Sequence, residues 1–256
     1  MSMTKPLRGR LPIWGSTWFP QPVLLMPFYE GDGAIVNDLS GNGRNGTLAA
    51  GITWSQGQFG PVLSGSGGAT GYVDTNWRWT FGTGAFTLSC WYKGTEATNY
   101  AGLVGAAITN SIGCAMLIYN GHIAVWLNNE MDEGSITIND DVWHHCAFTR
   151  NGTVGRLYVD GVQDGVNKVV LGSSVDVAQN VWIFGWGNSS YTTKGLIDLP
   201  MILDRDLSAR QIAYLYRNPF PWFIEDEVSH LYLPPTGISM PLLMQQMNHF
   251  NGGMAA

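Results

Sequence analysis

Charge is scarce in this chain. Asp, Glu, Lys and Arg make up 12% of its 256 residues, about half the ~25% of an ordinary soluble domain. The 13 Lys and Arg against 19 Asp and Glu give a net charge of −6. No run of Lys or Arg is long enough to neutralise a phosphate backbone, which excludes nucleic acid as a partner. Cysteine is also scarce. Cys90, Cys114 and Cys146 are odd in number and widely spaced, so they describe no disulfide framework. Each falls in an apolar strand-like run, where a free Cys acts as a small hydrophobe, and folding in a reducing cytosol is the expectation. No stretch reaches the ~18 apolar residues of a membrane span. Lys5, Arg8 and Arg10 imitate the start of a secretory leader, but Pro12, Pro20, Pro22 and Pro27 interrupt the apolar segment that should follow. Gly-x-Ser-x-Gly, His-Glu-x-x-His and phosphate-loop motifs are all missing. Asn45, Asn151 and Asn188 match the glycosylation pattern, but they read as turn residues.

What the chain has instead is glycine and aromatic surface: 33 Gly, 11 Trp, 10 Tyr and 10 Phe. The clearest segment begins at Trp143-His144-His145-Cys146-Ala147-Phe148-Thr149-Arg150. Alternation puts His144, Cys146 and Phe148 on one side and Trp143, His145, Ala147 and Thr149 on the other. Asn151-Gly152 and Asp160-Gly161 mark hairpin turns. Phe86, Leu88, Cys90 and Tyr92 share one face of another strand over 85–93. Asn120-Gly121 joins a further pair, Cys114 to Tyr119 and His122 to Leu127. Other strands are expected over 23–29, 101–107, 168–171, 181–185 and 195–203. Ser208 is a good N-cap, Ile212, Leu215 and Tyr216 follow at helical spacing, and Asn218-Pro219 ends that helix.

These elements predict an all-β, two-sheet antiparallel sandwich over residues 23–218, with one short helix near 208–217. Residues 1–22 form an arm rich in proline and aromatics. Residues 219–256 form a tail, in which Pro241 opens a short Met-rich helix that needs a partner surface.

The ordered series Asp38-Leu39-Ser40-Gly41-Asn42-Gly43-Arg44-Asn45-Gly46-Thr47-Leu48, Phe86 to Trp91, Trp143 to Gly152, Leu157-Tyr158-Val159-Asp160-Gly161, Gly195 to Asp198 and Leu207 to Tyr216 resembles the laminin G-like, concanavalin A-like jelly-roll domains. Arg217-Asn218-Pro219-Phe220 with Trp222-Phe223 is similar to the ending of bacteriophage and prophage copies of the domain. The resemblance implies two stacked curved sheets. It admits lectins, glycan-binding modules, glucanases and virion proteins.

Candidate sites follow. Glucanases of this fold carry alternating acids on one strand, which puts two carboxylates on the same side of the sheet. Here Glu130-Met131-Asp132-Glu133 runs into Gly134-Ser135 where the last acid should stand. The stretch reads as a polar connection, and no catalytic residue is assigned. His144 and His145 point to opposite faces and do not share a metal. No cofactor is required. The resemblance implies a Ca2+ ion at the sandwich rim, with Asp38, Asn42 and Asp198 as the residues to test. Trp186 and Tyr191 on one loop, and Trp77 and Trp79 on another, are the aromatics that would stack on a sugar. Trp14, Trp18, Phe19, Trp222, Phe223, Met240, Leu243, Met247 and Phe250 are the apolar side chains that would clasp neighbouring subunits. The leading expectation is a bacteriophage virion protein, a decoration or cement subunit made in the host cytoplasm, which self-associates and binds other capsid subunits through its arms. The alternative is a glycan-binding module; a glycoside hydrolase comes third.

Overall fold

The computed structural model describes Lys5, Pro12 and residues 19–223, apart from 69, 97–99, 108–111, 170–172 and 188–190; for 166–169 it describes the backbone alone. The chain divides into two units, 1–223 and 224–256. The second lies outside the described residues, and with it the helix expected after Pro241.

Strands are numbered in chain order. The first sheet runs β14 (Val162–Val169), β13 (Val154–Val159), β12 (His144–Asn151), β7 (Phe86–Lys93), β16 (Lys194–Leu203), β5 (Pro61–Ser66), β4 (Ile52–Gln56), with β1 (Leu24–Leu25) joined to the far half of β16. The second runs β11 (Glu130–Thr137), β10 (His122–Leu127), β9 (Gly113–Tyr119), β8 (Ala101–Ala107), β15 (Asn180–Ile183), β6 (Val73–Arg78), β3 (Gly46–Leu48), β2 (Ile35–Val36). The pairings are antiparallel. This is the expected two-sheet jelly-roll sandwich.

The alternation read from the sequence sets the faces. Phe86, Leu88, Cys90 and Tyr92 of β7 join Cys146 and Phe148 of β12 in the core between the sheets. Trp91 and Ala147 face the other way. Cys90, Cys114 and Cys146 are free and buried, and burial raises their thiol pKa values. Asn120 and Asp160 take φ +51° ahead of their glycines, the two left-handed residues that a tight hairpin needs. The turn at Asn151-Gly152 is shifted by one residue. Asn151 pairs with Val154, so Gly152, at φ +56°, opens a Gly152-Thr153 turn. Glu130 to Ser135 is strand rather than connection. Asn128 and Asn129 both take positive φ, +50° and +70°, and fold β11 back onto β10; Asn is the ordinary residue that tolerates this region at least cost.

The sandwich is closed at one edge by a side chain. Asp164 on β14 accepts from Ser135 N–H at 3.0 Å, Ser135 Oγ at 2.9 Å and Ile136 N–H at 3.2 Å on β11. Gly134 leaves the room: a Cβ there would sit 2.0 Å from Asp164 Oδ2.

The outer face of the first sheet is covered by helix α1 (Ala209–Arg217), whose Ser208 and Gln211 form a reciprocal capping box. Ile212 and Leu215 pack with Phe19, Phe59, Phe220, Trp222 and Phe223 over Trp91 and Ala147. Phe19 meets Trp222 edge-on at 5.7 Å, and the Trp222 indole N–H donates to the Pro20 carbonyl at 3.1 Å. Phe19, Trp222 and Phe223 are 3%, 2% and 6% exposed, so these three complete their own domain rather than reaching for a neighbour. Trp14, Trp18, Met240, Leu243, Met247 and Phe250 lie outside the described residues.

Candidate ligand-binding face

Among the described residues, the outer face of the second sheet has no such helical cover. A cross-strand row can be followed over it from β11 to β6: Met131, Trp126, Ala115, Gly105, Trp182, Asp74. Trp126 and Trp182 stand three strand spacings apart, about 14 Å, with Ala115 and Gly105 between them. Gly105 is required, because a Cβ there would lie 2.4 Å from the Ala115 Cα. Trp186 fills part of this interval. Its ring lies 5.4 Å from Trp126, its indole N–H donates to the Tyr100 carbonyl at 2.9 Å, and Tyr191 stacks on it at 5.0 Å and 11°. Gly102 allows this approach, since a Cβ would lie 2.5 Å from Trp186. On the other side Tyr72 stacks on Trp182 at 3.7 Å and 9°.

Three tryptophans thus form a buried layer, and half-buried Tyr72, Tyr100, Tyr119 and Tyr191 surround it. Tyr100 lies 5.1 Å from Tyr119 and 5.5 Å from Tyr191. Desolvation and the neighbouring Tyr119 raise its hydroxyl pKa. The indole N–H groups of Trp126 and Trp182 find no acceptor among the described residues. His122 Nδ1 bonds Glu133 Oε1 at 2.7 Å at the margin. Flat apolar rings edged by hydroxyls offer stacking and hydrogen bonds at low entropic cost, the chemistry that recognises a sugar ring or a protein surface.

Of the aromatics expected to meet a sugar, Trp186 and Tyr191 are brought together here. Trp186 is the underlayer at 1% exposure, and Tyr191 carries the accessible edge. Trp79 is a correction. It looks exposed in sequence but is fully buried in the core between the sheets, packed edge-on against Phe86 at 5.0 Å. Trp77 has one face covered by the Arg44 guanidinium at 3.7 Å. Sequence reasoning missed Tyr72, Tyr100, Tyr119, Trp126 and Trp182. Alternation would have grouped His122, Ala124 and Trp126 on one side of β10, but it does not say which side faces out.

The residues expected to hold calcium are engaged elsewhere. Asp38 accepts from Leu25 N–H, Ser40 N–H, Ser40 Oγ and Arg44 N–H at 2.7–3.1 Å, which makes it the organiser of its own loop. Asn42 donates to the Val23 carbonyl and Ser40 Oγ. Asp198 is fully buried on the outer side of the first sheet and pairs with Lys5 Nζ at 2.7 Å. Burial raises its carboxyl pKa to about 6 against the lowering effect of that charge. The described residues contain no group of three His, Cys, Asp or Glu arranged for a metal.

A buried Ser–His pair lies away from this face. Ser89 Oγ and His145 Nε2 are 2.9 Å apart, both nearly inaccessible. Asp160 accepts the backbone N–H of His145 and binds the ring of His144 at 2.8 Å, so it orients the wrong imidazole for a relay.

A family model described as the concanavalin A-like lectin/glucanases superfamily matches residues 66–213. Among solved structures, domain 4 of an extracellular arabinanase from Geobacillus stearothermophilus, in complex with arabinotriose, is similar with TM-score 0.62 and 18% identity over 77% of this chain and 98% of that one. The binding domain of Paraclostridial mosquitocidal protein 1 is similar with TM-score 0.64 and 16% identity, over 79% of this chain and 55% of that one. The receptor-binding domain of botulinum neurotoxin D gives 0.59 and 17%, over 78% and 53%. A mouse protein with sushi, von Willebrand factor type A, EGF and pentraxin domains is 29% identical over 96 residues, 36% of this chain. The match spans 3% of that protein's length. No helix among the described residues is long and apolar enough to cross a membrane.

Proposed function

The chain belongs to the concanavalin A-like lectin/glucanases superfamily, and on that premise we propose that it is a glycan-binding module working through the outer face of its second sheet. The observation that carries this reading is the asymmetry of the two outer faces. The first is sealed by α1, Phe19, Phe220, Trp222 and Phe223. The second presents four half-buried tyrosines over a tryptophan layer. The arabinotriose-bound arabinanase domain supports it as a similar fold that takes an oligosaccharide. Binding rather than hydrolysis is favoured by β11. Register places Met131 and Glu133 opposite Trp126 and Ala124 on the outer face, while Glu130 and Asp132 fall on the alternate side, so β11 brings a single carboxylate to the outer face.

Phe19, Trp222 and Phe223 are buried within their own domain, which removes one reason to read the chain as a virion subunit. A panel of neutral and charged oligosaccharides tests the glycan reading by calorimetry. Tyr191→Ala and Tyr100→Ala should each weaken binding about tenfold, as losing about 1.4 kcal/mol of ring contact requires. Trp77→Ala should leave it unchanged. Binding that survives both tyrosine variants, or no binding by the parent protein, would refute the proposal.

A further inference from the structure

Asp198 on β16 sits in the mostly apolar outer layer of the first sheet, opposite Trp91, at an irregularity where Leu199 takes φ +47°. One carboxylate oxygen accepts from the Leu199 N–H at 2.8 Å and from Lys5 Nζ at 2.7 Å. The other has no donor among the described residues. Lys5 is 9% exposed. Its ammonium also donates to the Pro61 carbonyl, its backbone N–H donates to the Phe59 carbonyl at 2.9 Å, and its stem lies against Gly60, where a Cβ would be 3.5 Å from Lys5 Cδ. Tyr29, whose buried hydroxyl finds no partner among the described residues, and Glu30 lie close enough to feel these charges.

A carboxylate in an apolar layer is tolerated only when paired and hydrogen-bonded. Here the pairing cation comes from Lys5, far from Asp198 in sequence; its ammonium is held by the carboxylate and the Pro61 carbonyl, and its backbone N–H by the Phe59 carbonyl. The geometry points to a lysine socket: Asp198 with the Pro61 carbonyl forms a built site for a primary ammonium, the Phe59 carbonyl fixes the backbone N–H of the residue that carries it, and the sandwich uses the site to pin Lys5 to the outer face of the first sheet. This contact does not depend on the second sheet or on glycan binding.

Competitive acetylation of the full-length protein, read by mass spectrometry, tests the socket. In the parent protein Lys5 should react about tenfold or more slowly than exposed Lys194, the factor that docking worth about 1.4 kcal/mol produces. Asp198→Asn preserves shape and removes the charge; it should raise Lys5 reactivity toward that of Lys194. Equal reactivity of Lys5 and Lys194 in the parent protein overturns the proposal. So does unchanged protection in Asp198→Asn. If that variant fails to fold, Lys5→Met alone and with Asp198→Leu decide by their melting temperatures. The double variant should recover most of what Lys5→Met loses, and a double variant no more stable than Lys5→Met would also overturn the socket.

Discussion

At the scale of single residues, His144 and His145 show how one strand gives neighbouring side chains opposite titration. The bond to Asp160, against some desolvation, raises the His144 pKa, with Asp140 adding to it. Complete burial lowers His145 to about 4, despite the charge of Asp160. The sign for His145 follows from linkage. Its ordinary value of 6.5 holds in the unfolded chain, so below about pH 6.5 the unfolded state binds a proton that the native state refuses. Stability is therefore intact above about pH 6.5 and falls as pH drops toward 4, by about 3 kcal/mol over the window. His144 works the other way: its contribution is present below about pH 6.5 and is lost as pH rises through its folded pKa. Urea unfolding of His145→Gln at pH 7, 5 and 4 should show about 3 kcal/mol less acid loss than the parent protein. An identical pH profile would mean that His145 is not held neutral. The same scale decides which aromatics can work. Trp79 and Tyr191 look alike in sequence, as rings followed by a threonine, and only packing separates a core ring at 0% exposure from one at a surface edge.

At the scale of elements, much of the fold was legible because strand and turn chemistry are local. Asp160-Gly161, Asn120-Gly121, the alternation in β7 and the Ser208 cap of α1 each state their geometry within a few residues. What stayed hidden depends on partners distant in sequence. β11 has acidic, weakly strand-forming residues and is held by register against β10 and by Asp164 from the other sheet. Trp126 and Trp182 belong to one surface only because β9 and β8 lie between them. The clasp between β14 and β11 makes a direct prediction. Asp164→Asn weakens several charge-assisted bonds and should cost about 2–3 kcal/mol. Gly134→Ala crowds the same carboxylate and should cost about 1–3 kcal/mol. The two losses should be less than additive, because they act on one contact. Chemical denaturation of both single variants and the double variant checks this, and full additivity would place Gly134 outside the clasp.

At the scale of the whole molecule, the question is what the terminal aromatics do. Residues that clasp a neighbour and residues that complete their own core look the same in sequence, since both are apolar and sit beyond the last regular element. In the structure Trp222 is 2% exposed, meets Phe19, and donates its indole N–H to Pro20, so the two ends of the sandwich segment meet over the first sheet. That arrangement closes one outer face, which is the asymmetry on which the glycan-binding proposal rests. Trp222→Ala should therefore cost about 3–5 kcal/mol of domain stability, the range for removing a large buried ring, while leaving the sedimentation mass unchanged. A subunit clasp would behave in the opposite way, with little change in the melting of the isolated domain and a shift to smaller assemblies. Because the ring lies on the sheet opposite Tyr100 and Tyr191, Trp222→Ala protein held below its lowered melting point should bind oligosaccharide as the parent protein does. Lost affinity at that temperature would show that the two outer faces are coupled through the core.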